Sequence, residues 1–135
     1  MNQTHFRRVI IVDDDFASLF LAKLVIEEAN IAETVLTFHQ PVDAMHYLMQ
    51  YCIGENTARK DCPDLVLLDL NMPVMDGFEF LERLQMEGLS QFAQTRVVVL
   101  SSSNNPKDRQ MVEQYKVRHF LQKPITEDHL AALLT

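Results

Sequence analysis

This chain has no tryptophan, only three glycines and two cysteines among its 135 residues, and few basic side chains. Each scarcity excludes something. With so little glycine there is no GxxxxGK[ST] or GxGxxG loop, so a phosphate-cradling nucleotide site has no support in the sequence. Cys52 and Cys62 are neither a CxxC pair nor half of a zinc set. The five histidines (His5, His39, His46, His119 and His129) lie far apart and show no HxxxH spacing. Free structural or incidental thiols are therefore expected rather than a redox or metal role. Lys plus Arg total 12 against 19 Asp plus Glu, and the net charge of −7 argues against a direct grip on nucleic acid. No stretch approaches the roughly 18 apolar residues of a membrane span. The polar start Met1-Asn2-Gln3-Thr4-His5 has no signal-peptide hydrophobic region behind it, and a cytoplasmic protein is expected.

What is present has the composition of an ordinary globular domain, 47% hydrophobic and 23% charged. The length suits one domain with one proper core. Strand-like and helix-like segments alternate, which predicts a parallel sheet with helices on both faces. Strands are expected at about 7–12, 34–38, 64–69, 96–101 and 117–121. Helices are expected at about 15–29, 41–52, 77–88, 106–115 and 126–134. Leu19, Ala22, Val25, Ile26 and Ala29 form a helical-spacing apolar stripe. Asp76 with Glu79 suits the start of the third helix, and Asn105 before Pro106 suits the start of the fourth. The first, third and fourth strands carry aliphatic runs fit for burial on both faces, whereas the second and fifth are more polar, as edge strands are. This predicts a flavodoxin-like, doubly wound (βα)5 fold with strand order 2-1-3-4-5.

Polar groups close four of these strands. Asp13-Asp14-Asp15 follows Val9-Ile10-Ile11-Val12, Asp69 follows Leu65-Val66-Leu67-Leu68, and Ser101 follows Val97-Val98-Val99-Leu100. Lys123 stands just beyond the fifth strand, before Pro124. In parallel α/β sheets ligands bind beyond the carboxyl ends of the strands, so these groups converge on one site. Two unit charges about 4 Å apart interact by roughly 4 kcal/mol at an effective dielectric of 20. A cluster of Asp13, Asp14 and Asp69 must then shift its pKa values or bind a cation. A hard all-oxygen site suits Mg²⁺. The plainer alternative has Asp15 capping the first helix while Asp13 and Asp14 are merely solvated. Ser101 and Lys123 tip the balance, because they add a hydrogen-bond donor and a cation for the oxygens of a transferred phosphoryl group.

The segments V-D-D-D (12–15), L-D-L-N-M-P-V-M-D-G (68–77), V-V-V-L-S-S-S (97–103) and K-P (123–124) resemble the receiver domain of two-component response regulators over nearly the whole chain. The resemblance implies a single receiver domain over 1–135 with no attached output domain. It implies that Asp69 is the phosphoacceptor and that Asp13, Asp14, Asp69 and the backbone carbonyl of Asn71 hold Mg²⁺. It implies a switch pair, Ser101 and Phe120, a phosphate-binding Lys123 joined to Pro124 by a cis bond, and phosphoryl-lifetime tuning by Asn71 and Ser103. The implied partners are a histidine kinase or histidine phosphotransfer protein and a downstream protein target, with no nucleic acid or membrane and with homodimerisation left open. Two departures stand out. Serine replaces the commoner threonine at 101, and the stretch between Asp14 and Asp69 is longer than usual, as in a subgroup of stand-alone receivers, some paired with phytochrome-type kinases. A phosphatase or phosphotransferase of the haloacid-dehalogenase type carries a second aspartate two residues after its nucleophile, where this chain has Asn71. A non-phosphorylated scaffold is opposed by the complete acidic set and Lys123.

Overall fold

The structure is a computed structural model. It describes residues 5–52, 61–70, 72, 76–86, 95–102, 105–115, 117 and 119–133. Ten elements alternate along the chain: β1 (Phe6–Val12), α1 (Phe16–Ala29), β2 (Ala32–Phe38), α2 (Pro41–Cys52), β3 (Leu65–Asp69), α3 (Gly77–Met86), β4 (Arg96–Ser101), α4 (Pro106–Glu113), β5 (His119–Gln122) and α5 (Glu127–Leu133). The five strands form one sheet in the order β2-β1-β3-β4-β5, every pair parallel, as the distribution of apolar residues predicts. All five residues of β3 are buried, whereas the edge strands β2 and β5 contain no fully buried residue.

The period-two alternation of a strand sends successive side chains to opposite faces, so the sheet builds two cores. Ile10, Val12, Val66, Leu68 and Val99 point to one face, where Leu48 of α2, Phe80 and Leu84 of α3 and Val112 of α4 cover them. Val9, Ile11, Leu65, Leu67, Val98 and Leu100 point to the other, covered by Leu19, Ala22 and Ile26 of α1 and by Leu130 and Leu133 of α5. The predicted stripe on α1 is therefore its inward face, with Val25 and Ala29 at its margin.

Local signals end the helices. Asp15 caps α1 by accepting from the Ala17 backbone N–H at 3.1 Å, and Asn30 closes it in the left-handed conformation (φ 56°). Asn105 accepts from the Lys107 N–H at 3.0 Å with Pro106 in the first turn, and Asp76 accepts from the Glu79 N–H at 2.9 Å.

Four expectations need correction. α4 ends at Glu113, capped by Gln114, rather than at 115. β2 starts at Ala32 rather than 34, because its pairing with β1 begins at Phe6↔Ala32, ahead of the β-branched run. β5 starts at His119 rather than 117, since its pairing with β4 begins at Val98↔His119. Cys52 and Cys62 are joined as a disulfide rather than free. The last turn of α2 returns alongside the segment entering β3, and this proximity has no signature in the spacing of the two residues.

Candidate functional site

Strand register assembles the site. Val12 pairs with Leu68 and Asp69 with Leu100, so Asp13, Asp69 and Ser101 lie at or just beyond adjacent strand ends. Ser101 in turn pairs with Gln122, which puts Lys123 one step past the same edge. The backbone extends this alignment beyond the strands. The Asp13 N–H donates to the Phe38 carbonyl at 3.0 Å, the Leu70 N–H to the Leu100 carbonyl at 3.2 Å, and the Lys123 N–H to the Ser101 carbonyl at 2.8 Å.

The carboxylates of Asp13, Asp14 and Asp69 each present an oxygen within 4.8 Å of the others. Asp13 and Asp69 are 2% and 4% exposed, and Ser101 is fully buried, so these polar groups sit where the neighbouring core excludes most solvent. Asp14 is half-buried. One oxygen of Asp13 accepts the Asp15 N–H at 3.0 Å, which fixes its orientation at the entrance to α1. Its other oxygen takes the Lys123 ammonium at 2.7 Å, and the same Nζ lies 3.1 Å from Asp69 Oδ1. Burial works against the Lys123 charge, but the hydrogen bond to Asp13 and the attraction of Asp69 and Asp13 outweigh it and raise its pKa above 10.5. Three carboxylates facing one ammonium leave a formal excess of two negative charges, and the donors are all hard oxygens. This donor set fits a divalent cation of the Mg²⁺ type.

The Lys123–Pro124 peptide bond is cis. Gly77 supports the other side of the site, because a Cβ there would lie 2.7 Å from Leu70 Cα and 3.0 Å from the Asp69 carbonyl oxygen. Its N–H donates to the Leu70 carbonyl at 2.8 Å, so the start of α3 lies directly against the backbone that follows Asp69. Glycine was legible as part of D-G, but the tight approach that needs it is visible only in three dimensions. Phe120 is half-buried against the core under α4, with the Arg109 guanidinium 5.2 Å from its ring centroid. Asn71 and Ser103 lie outside the described residues.

The family model of the response regulator receiver domain matches residues 9–135. The chain belongs to that family. Among curated relatives, Rcp1, a response regulator of Synechocystis sp., is 32% identical over 100 residues, a stretch that covers 74% of this chain and 65% of that relative. This chain thus spans just under two thirds of Rcp1. A solved two-component response regulator from Cytophaga hutchinsonii superposes with a TM-score of 0.83 at 25% identity, covering 97% of this chain and 95% of the other. The phosphorylated cyanobacterial phytochrome response regulator RcpA superposes with a TM-score of 0.72 at 29% identity, covering 95% and 88%.

One feature of this receiver went unread in the sequence. Phe16 and Phe20 on α1 are 66% and 64% exposed, and Leu21 and Leu24 extend the same outward face. Phe16 stacks at 4.7 Å on His39, the residue just after β2, so the apolar face begins at the sheet edge that carries the aspartates. The helix is apolar on both sides, and an inward stripe alone does not account for it.

Proposed function

We propose that this receiver is a phosphorylation-activated switch in which Asp69 accepts a phosphoryl group from the phosphohistidine of a histidine kinase or phosphotransfer protein. The observation that carries the proposal is the Lys123 ammonium bridging Asp13 and Asp69 inside a cluster of three carboxylates. In the transfer, a carboxylate oxygen of Asp69 attacks phosphorus in line with the donor nitrogen. The O–P bond forms as the P–N bond breaks, and the electron pair returns to the imidazole. Asp13, Asp14 and Asp69, with the Asn71 carbonyl by family resemblance, would hold Mg²⁺, which shields the negative charge on the phosphoryl oxygens. Lys123 Nζ, already within reach of Asp69, neutralises a second oxygen, and the Ser101 hydroxyl donates to a third. Hydrolysis reverses the modification when water attacks the same phosphorus and expels the Asp69 carboxylate. The chain is therefore a phosphoacceptor that assists its own chemistry rather than an enzyme acting on external substrates, and Asn71 and Ser103 would tune the lifetime of the acyl phosphate.

The test uses phosphoramidate with Mg²⁺ and intact mass. One phosphoryl group should add to the protein, none without Mg²⁺, and none to Asp69→Asn. A label persisting on that variant would move the nucleophile elsewhere.

Output is carried by a changed surface read by a downstream protein. The phosphoryl group adds about −1.5 to −2 charges, and it draws the Ser101 hydroxyl toward it. Phe120 then turns into the space vacated, which alters the face made by α4, β5 and α5. A difference of a few kcal/mol between the two states suffices for such a population shift. Amide NMR of the free and beryllofluoride-bound protein should show changes reaching Phe120 and residues 106–121; changes confined to the pocket would overturn the switch.

A further inference from the structure

We propose that Cys52 and Cys62 form a reversible redox-modification site, oxidised by a low-molecular-weight disulfide such as glutathione disulfide and reduced by thiols. The two residues come from the last turn of α2 and the segment entering β3, with Cα atoms 5.1 Å apart, a separation that a disulfide spans. Their bond closes a ring over residues 53–61. It lies at the start of β3, whereas Asp69 ends that strand, so the redox chemistry leaves the phosphorylation pocket untouched.

The surroundings accommodate both redox states. Both residues belong to the apolar cluster beneath α2 and α3. Thr95 Oγ1 donates its only proton to the Pro63 carbonyl at 2.6 Å, so its lone pairs face Cys62 Sγ, 3.7 Å away, as an acceptor for the thiol proton of the reduced form. Asp61, next to Cys62, is held independently of the bond. Its carbonyl accepts from the Tyr47 hydroxyl at 2.7 Å, and its carboxylate lies 3.4 Å from Arg8 Nη2. Reduction therefore releases the covalent tie and leaves the segment anchored at Asp61 and Pro63, close to the geometry needed to re-form the bond.

The two sulfurs are not equivalent. Cys62 is 7% exposed and Cys52 is 0%, so exchange enters through Cys62. Its thiolate attacks one sulfur of glutathione disulfide, breaking that S–S bond and expelling one glutathione thiolate. Cys52 thiolate then attacks the Cys62 sulfur of the mixed disulfide and expels the second glutathione. Two protein thiols lose two electrons, glutathione disulfide becomes two thiols, and the two cysteine protons end on them. Excess thiol runs the same steps backward.

The test equilibrates the folded chain in glutathione buffers from fully reduced to strongly oxidised, quenches with acid, alkylates in denaturant and counts labels by intact mass. Two labels should fall to none as the ratio is raised, with circular dichroism unchanged. Cys52→Ser should take up one glutathione on Cys62, and Cys62→Ser should take up none while folded. Two labels at every ratio would show that no bond forms, and a bond broken only in denaturant would show a fixed staple. Either result, or equal glutathione uptake by both single variants, would overturn the proposal. Should either variant fail to fold, the wild-type titration decides the question alone.

Discussion

Replacing Lys123 by methionine keeps an unbranched side chain out to Cε and removes the cation that, among the described residues, touches both buried aspartates. Asp13 and Asp69, at 2% and 4% exposure, would then face each other without their common partner. Breaking a buried ion pair from one side destabilises by about 3–5 kcal/mol, because the remaining charge stays desolvated. The Lys123 side chain retains 18% of its exposure, so some water reaches the site and the lower end, about 3 kcal/mol, is expected. At roughly 4 °C per kcal/mol for a domain of this size, the melting temperature in chelator should drop by about 12 °C.

Magnesium should behave in the opposite sense. The ammonium competes with a divalent ion for the same oxygens, and at about 5 Å and an effective dielectric of 20 the repulsion between a single and a double positive charge amounts to about 7 kcal/mol. Allowing for screening, Lys123→Met should bind Mg²⁺ at least about tenfold more tightly, a difference of about 1.4 kcal/mol. The ion should then recover much of the lost stability, while phosphoryl uptake from phosphoramidate should slow sharply for want of the second charge on the phosphate. The raised pKa of Lys123 supplies a further check. Its stabilisation is fully present below pH 10.5 and is lost as pH climbs through the higher folded value, so the wild type should lose stability there while the variant lacks that step. Thermal unfolding with and without Mg²⁺, together with calorimetric titration, measures each quantity. A melting temperature within about 3 °C of wild type in chelator, or weaker Mg²⁺ binding, would refute the reasoning.

Two other perturbations probe different parts of the molecule. Gly77→Ala would push a methyl group against Leu70 Cα and the Asp69 carbonyl, so denaturant unfolding should show a loss of about 1–3 kcal/mol together with slower labelling of Asp69; unchanged values would mean that the loop yields freely. Phe20→Ser on the exposed face of α1 should leave phosphoramidate labelling unchanged and slow transfer from a kinase several-fold if that face receives the donor, and equal transfer rates would remove α1 from the docking surface.

Much of this protein is determined locally, and so could be read from the chain. Val9–Val12, Leu65–Leu68 and Val97–Leu100 are apolar enough to demand burial on both faces, and each is followed by a polar residue that burial tolerates only at a strand end. That pattern alone implies a parallel sheet and a site at its carboxyl edge. Caps such as Asp15 and Asn105 were equally legible, because their partners lie two residues away.

Contacts between residues distant in sequence were decided only by the tertiary structure. Lys123 meets Asp13 across 110 positions, and nothing in either segment says which of three adjacent aspartates it will choose. The fold makes that choice by burying Asp13, leaving Asp14 at the half-buried rim and turning Asp15 into a helix cap. The disulfide depends in the same way on α2 returning beside β3, and Cys52 and Cys62 pair because two elements pack, not because of their sequence separation of 10. The outward face of α1 is apolar in sequence, yet only the assembled sheet reveals that the stripe from Leu19 to Ile26 already satisfies the core and leaves Phe16 and Phe20 in water. Periodicity reports that a residue avoids water, whereas packing decides which surface removes it from water.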